Sequence, residues 1–486
     1  MSHFQSVLIG SAMSAMMLCM LLGRAFDILV LTQASYVMSG VIILAGLNQI
    51  KWRETYLLGC SFLLIVALFM FTEQPFDALM KGVAQASFLM AFMGLLSLLH
   101  EAAMTSSSVT DCGRYLTSQR AGKRYIAIFS GTNLMAVLFN LGILSILSPL
   151  IQKGLSAEAE NKQITALKEK RQLSAMVTGF AWCVVWSPTA IAPLALYELI
   201  GGIDRQIWTI YGFILSVAVC CVGWLLDKFT NRHLARRRAF RQSYDVPVSA
   251  FAKFVLMLCV LFGLASFFSA LFDENFVFGL LVGCPLTMLI WFAAQAVGFD
   301  QSSLAVPGQS ELSTPAKKTG VSQIGYIAER LVQVNHFELA KSLRLMITLA
   351  GSGFIGSVAS FLIPAEQVAQ QLGLFALPDY IVLSLLSFIM VPTSFLGVSP
   401  IMMAVFFGSL MGSLPALPAD PTLIAFAITA GWALSMTLSP FSTLSLIVAR
   451  LNHKTPAQIS FGWHIPFNLV CFIMLVGCYY LLTSGL

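Results

Sequence analysis

Ser130-Gly131-Thr132-Asn133-Leu134-Met135-Ala136-Val137-Leu138-Phe139 is answered 268 residues later by Val398-Ser399-Pro400-Ile401-Met402-Met403-Ala404-Val405-Phe406-Phe407. A second pair follows in the same order: Gly179 with Ser187-Pro188-Thr189, and Gly431 with Ser439-Pro440-Phe441, now 252 residues apart. The Gly-to-Ser spacing is eight in both. A charged insertion at about 153–172, found only in the first half, accounts for the missing 16 residues. Ordered matches separated by one gap mark an internal duplication.

Around these stretches the chain is apolar from end to end. Of its 486 residues 58% are hydrophobic and 10% charged, where a soluble domain carries about 25% charged residues. Runs of about 20 apolar residues, enough to cross a bilayer core, fall near 5–22, 34–50, 55–72, 82–101, 173–200, 206–227, 251–271, 276–297, 344–363, 422–449 and 461–483. Alternating strand patterns are absent, so the expected class is an all-α polytopic membrane protein with about 11 transmembrane helices. Residues 1–23 lack a basic start and read as a first membrane helix, not a signal peptide. Nine of the ten cysteines lie in apolar runs with no C-x-x-C, which points to buried thiols and away from a metal or disulfide framework.

Two further apolar stretches, about 125–150 and 379–413, are interrupted near the middle by Gly, Pro, Ser and Asn. They read as re-entrant hairpins. Charge tests the assignment. With the N-terminus cytoplasmic and both hairpins re-entrant, only Arg24, Lys81 and Arg205 of the 28 basic residues fall outside, as the positive-inside rule requires. The C-terminus then lies outside, in a cell membrane read as a bacterial inner membrane. The net charge of +6 marks a membrane face and does not imply nucleic acid. The expected organisation is a first helix (1–33), one repeat (34–227) with a hairpin opening from the cytoplasm, a basic linker (228–250) and a second repeat (251–483) with a hairpin opening from outside. An odd number of crossings per repeat makes the two inverted, the architecture of secondary transporters. The insertion at 153–172 reads as a solvated cytoplasmic helix and Ile324–Leu345 as an interfacial helix. The run Lys228 to Arg241 reads as a topology determinant able to meet anionic lipid head groups. A homodimer is a further expectation.

The residues suited to chemistry are short and polar. Ser130, Thr132 and Asn133 are expected at the first hairpin's turn and Ser399 at the second. Ser187 and Thr189 lie where Pro188 breaks one spanning helix; Ser439, Ser442 and Thr443 lie where Pro440 breaks its counterpart. Proline removes a donor and unwinds the helix locally. Freed N–H groups and half-helix N-termini favour anions, while freed carbonyls favour Na⁺. No Lys or Arg falls centrally in a span, so a bound cation is expected to compensate an anionic solute, and Na⁺ is preferred to H⁺ as the coupling ion. No cofactor is expected. His100-Glu101, at a span's end, reads as a polar helix terminus, with a proton-handling pair as the alternative. With no G-x-x-x-x-G-K-[ST] the chain does not use ATP directly.

One extra helix, two inverted units of five crossings plus a hairpin, and Ser/Thr/Asn at the turns resemble the ion transporter superfamily, whose best-known members are the divalent-anion/sodium symporters. In that family a Ser-Asn-Thr motif at each tip binds carboxylates; here the tips read Ser130-Gly131-Thr132-Asn133 and Ser399-Pro400. The resemblance implies substrate contacts at Ser130, Thr132, Asn133, Ser187, Thr189, Ser399, Ser439, Ser442 and Thr443. It implies cation contacts at Gly131, Asn133, Pro188 and Val398. The expected function is ion-coupled, elevator-like transport of a small anionic, carboxylate-type solute. The rival readings are a lipid-linked solute carrier, exporter or flippase, and a membrane glycan polymerase or transferase; short outer loops with few acid/base residues speak against the last.

Overall fold

The computed structural model describes residues 3–119, 121–157, 162–230, 248–299 and 323–484, and these form helices and connecting turns. In chain order the first helices are α1 (His3–Ala25), α2 (Leu29–Ala45), α3 (Trp52–Phe71), α4 (Pro75–Met104), α5 (Ser107–Thr117), α6 (Ala121–Phe139), α7 (Gly142–Ala157), α8 (Lys162–Cys183), α9 (Ile191–Leu199) and α10 (Arg205–Thr230). There follow α11 (Val248–Leu271), α12 (Phe276–Ala296), α13 (Gln323–Gln333), α14 (Leu339–Leu362), α15 (Ala365–Gln371), α16 (Asp379–Phe395), α17 (Pro400–Gly412), α18 (Pro421–Leu438), α19 (Thr443–Leu451) and α20 (Pro456–Thr483). Nine helical stretches among the described residues are long and apolar enough to cross a membrane. Each coincides with an expected span. The expected span at 34–50 is the shorter apolar helix α2, and that at 173–200 is α8 and α9 with a break between them.

The chain divides into two compact units, and each draws on both halves of the sequence. The first comprises Met1–Cys112 with Pro247–Leu362, the second Gly113–Val246 with Ile363–Leu486. In the first unit α4 and α14 form the central pair, α3 packs on α14, and α12 packs on α4. Two of its ion pairs, Arg24 with Glu274 (3.3 Å) and Arg344 with Glu54 (3.1 Å), join charges that the sequence places on one face in each case. Arg330, in α13, is buried: it donates to Gln333 and Thr105 and lies over the Phe292 ring. The stretch expected as an interfacial helix continues directly into α14 through one π turn, Val334–Glu338. There Asn335 accepts a hydrogen bond from Ser14 of α1 (2.5 Å).

The second unit contains the same order twice: two helices forming a hairpin (α6–α7, α16–α17), a broken helix (α8–α9, α18–α19) and a long helix (α10, α20). The packing repeats as well. α6 crosses α8 as α16 crosses α18, while α9 lies on α17 and α19 on α7, each half-helix meeting the other repeat's hairpin. Glycines at the crossings reveal the register. A Cβ on Gly179 would sit 2.5 Å from the Phe129 carbonyl oxygen; one on Gly431 would sit 2.6 Å from that of Ser387. Only glycine lets the two backbones approach this closely. Phe129 therefore corresponds to Ser387, and the hairpins repeat at 258 residues, not at the 268 suggested by the apolar match. Alanine, Val, Met and Phe recur too freely on apolar helices to hold an alignment to the residue.

The expectation about the charged insertion is corrected. Residues 153–157 end α7, and 162–172 begin α8, which continues into the unit's interior. They form no separate solvated helix. Arg171 holds Asp227 of α10 through two bonds (2.7 and 2.6 Å), and Lys454 holds Glu169 (2.9 Å), so charge anchors the base of α8. The basic run beyond Thr230, the opening of 299–343 and the centre of the insertion lie outside the described residues.

Candidate functional site

Ser130, Gly131, Thr132 and Asn133 do not form the first hairpin's tip. They lie within α6, and the chain turns at Asn140-Leu141, where Asn140 has φ 46°. The second tip is where the sequence placed it: Gly397 has φ 80°, and Val398 and Ser399 lead into α17 with Pro400 at its first position. Proline there needs no donor and starts the helix at no cost. The polar cluster in α6 misled because Ser, Thr and Asn can leave a helix but need not. In a packed interface they serve neighbouring helices instead.

Asn133 does so fully. Its Nδ2 donates to the Gly179 carbonyl of α8 (2.9 Å) and to Ser216 Oγ of α10 (3.1 Å), and its Oδ1 accepts from Trp186 Nε1 (2.8 Å). It is a brace between α6, α8, α10 and the break. Thr132 is wholly buried and its hydroxyl has no partner. Ser130 is exposed. Gly131 packs against Leu116 of α5, and its carbonyl belongs to the α6 ladder. Of the four expected cation contacts, only Pro188 and Val398 lie in unwound backbone, where a carbonyl escapes the helix ladder.

The breaks are pinned to the hairpins. In the first break Ser187 Oγ and Thr189 Oγ1 lie 2.9 Å apart, and Thr189 donates to the Val137 carbonyl near the end of α6 (2.6 Å). In the second, Ser439 donates to the Ser394 carbonyl near the end of α16 (2.9 Å). Val137 and Ser394 are neighbours in the 258 register, so the two pins are near-equivalent. Ser442 caps α19, accepting from Ser445 N (3.1 Å) and donating to the Met436 carbonyl (2.8 Å). Thr443 opens that helix.

The half-helix after the first break packs on the half-helix after the second tip. Gly408 of α17 packs against Leu196 and Leu199 of α9, and Gly412, a turn further, against Leu199 and Ile200. Contact advances in the same direction on both helices, so α9 and α17 run parallel, with their N-termini at one end. Neither N-terminus has a side-chain cap: Ala190 cannot supply one, and Ser399 makes no cap bond. Their first-turn amides are left for another acceptor. Thr189 and Ser399, 210 residues apart in sequence, stand at this shared end.

The chain's overall path has a known counterpart. The YdaH transporter of Alcanivorax borkumensis, described as having an unusual topology, aligns over 90% of this chain and 98% of its own at TM-score 0.54 and 13% identity. The two chains share a fold. MtrF of Neisseria gonorrhoeae, described within a class of antimetabolite efflux pumps, aligns over 89% of this chain and 95% of its own at TM-score 0.49 and 10% identity. No protein-family model and no curated protein matches the sequence.

A polar chain that the sequence reading missed runs through the same unit. His464 of α20 is buried; its Nδ1 lies 2.6 Å from the Ile459 carbonyl and its Nε2 2.6 Å from Ser174 Oγ of α8. One turn on, Asn468 donates to the His464 carbonyl (2.8 Å) and accepts from Thr437 of α18 (2.6 Å). The signal was present: His464 and Asn468 are spaced i, i+4 in an apolar run, and ionisable residues inside membrane spans are costly unless partnered. An apolar span read over 461–483 puts His464 at its edge. Thr455 caps α20 and Pro456 starts it, which carries the helix start below that edge.

Proposed function

We propose that this protein is an ion-coupled secondary transporter of a small anionic solute of carboxylate type. In this reading the unit carrying both hairpins is the mobile body of an elevator-like alternation. One observation carries it: α9 and α17, from opposite repeats, pack in parallel, so their uncapped N-termini, which follow Thr189-Ala190 and Ser399, point the same way. Each N-terminus is equivalent to about half a positive charge, so the pair offers about one, suited to one carboxylate without a Lys or Arg. The polar side chains around the site mostly hold the breaks in place, which leaves backbone amides as the principal anion donors. The transporter fold shared with YdaH agrees with this reading.

Proteoliposomes containing the protein, challenged with radiolabelled mono-, di- and tricarboxylates and inorganic anions, test it, with Na⁺ and pH gradients imposed separately. Accumulation of at least one anion above protein-free vesicles is expected. Accumulation of neutral or cationic solutes alone, with every anion excluded, would refute the anionic assignment.

A further inference from the structure

The preference for Na⁺ over H⁺ rested on the absence of a titratable side chain well inside a span. His464 removes that premise, since it lies eight residues into α20 and is buried. Its hydrogen bonds define its protonation. A backbone carbonyl only accepts, so Nδ1, at 2.6 Å from the Ile459 carbonyl oxygen, carries a proton. In the neutral ring Nε2 then holds the lone pair, and Ser174 donates to it across 2.6 Å. A second proton has one place to go, the Nε2 lone pair. Ser174 would then accept from Nε2–H and turn its own hydrogen to a carbonyl of α8, the usual alternative for a helical serine. The proton adds to Nε2, one hydroxyl rotates, and no bond between heavy atoms breaks.

The surroundings decide when that proton is held. On α8, Lys170 lies one turn before Ser174, the ring's partner. The carboxylates nearest in sequence to these helices' contacts are already used, Glu169 by Lys454 and Asp227 of α10 by Arg171. The remaining ionisable groups of α10 are Arg205, Tyr211, Cys220, Cys221 and Lys228; α18 has none; α19 has Arg450, which is exposed. On α16, Asp379 and Tyr380 are at the far end, where Tyr380 meets Tyr480, and α20 itself adds Cys471, Cys478 and Tyr479. Among the described residues an imidazolium here has no counter-carboxylate, and the polar chain from His464 through Asn468 to Thr437, two residues before Ser439, leads to the second break, where an incoming anion would supply the missing charge.

We propose that His464 is a proton-binding site, that Nε2 takes up a proton together with the anionic solute, and that transport is thereby coupled to H⁺. This rests on the transporter reading above and adds the coupling ion to it. Linkage makes the effect reciprocal: the proton raises affinity for the anion, and the anion for the proton.

Two measurements test it. In proteoliposomes with an internal pH dye, each anion that the wild type exchanges should accumulate under an inward H⁺ gradient without Na⁺, with proton entry. His464→Gln should lose both proton entry and gradient-driven accumulation; a variant that keeps both at the wild-type level overturns the proposal. A wild type that exchanges anions but ignores the H⁺ gradient overturns the proposal and leaves the transporter reading standing. The second measurement needs no known solute: ¹⁵N spectra of histidine-labelled protein in bilayers, with the His464 signal identified by its loss in His464→Gln. A neutral ring protonated at Nδ1 is expected near pH 8, converting to imidazolium on acidification in the presence of the anion panel. A ring protonated at Nε2, or one that stays neutral down to about pH 5 while the protein remains folded, overturns the proposal.

Discussion

Asn133 separates two roles that the sequence could not. As a solute ligand it would be dispensable for folding; as the brace seen here it would not. Asn133→Ala removes three hydrogen bonds: to Gly179, to Ser216 and from Trp186. Side-chain hydrogen bonds inside membrane proteins contribute about 0.6 kcal/mol on average and up to about 1.7, so three contribute about 2 kcal/mol. Leaving the Trp186 N–H without an acceptor adds to this, giving about 2–4 kcal/mol in all. For a unit of this size each kcal/mol shifts the melting temperature by about 2–4 °C, so a fall of roughly 5–12 °C is expected. The protein carries its own reporter in Cys183, Cys220 and Cys471, which are buried and free. A thiol-reactive fluorogenic dye should reach them only on unfolding, over a baseline from the exposed Cys221 and Cys259. Ser399→Ala is the matched control: Ser399 makes no cap bond, and its melting temperature should stay within about 1 °C of wild type while anion transport falls. If Asn133→Ala melts with the wild type, the brace is not what holds α6, α8 and α10 together.

Three further outcomes follow from the same geometry. Thr189→Val, which keeps shape but deletes the 2.6 Å bond to Val137, should raise hydrogen exchange at the break and the end of α6, whereas Thr189→Ser should restore protection; equal exchange in both would remove the pin. Gly412→Val places a side chain against the Leu199 carbonyl, so it should separate α9 from α17, cost about 1–3 kcal/mol and abolish transport; wild-type melting and uptake would show that the helices are not in contact there. Cysteines introduced at Gly202 or Pro418, in a background without reactive thiols, should label from outside the cell, and one at Ser156 should not; outside labelling of Ser156 would cancel the re-entrant assignment.

Element type was legible because it depends on local quantities. Runs such as 55–72 and 276–297 are apolar over the length of a bilayer, and only a helix satisfies its own backbone there. The two breaks were legible for the same reason: Pro188 and Pro440 act on the turn that contains them. Ser399 was placed correctly at a tip because Gly397 and Pro400 restrict the backbone on either side of it.

What the sequence by itself determined is therefore an all-helical membrane chain with two proline breaks and one well-placed hairpin tip. Tertiary structure alone decided the rest. Nothing local distinguishes a Ser-Gly-Thr-Asn run that turns from one that stays helical. Asn133 stays in α6 because Gly179, Ser216 and Trp186, up to 83 residues away, satisfy it. The register of the duplication became readable only where Gly179 and Gly431 let backbones touch, since apolar side chains pack interchangeably and leave little trace in sequence order. The pairing of α9 with α17, and the bond from Ser174 to His464, join residues about 200 and 290 positions apart. Such contacts exist only once the chain has folded.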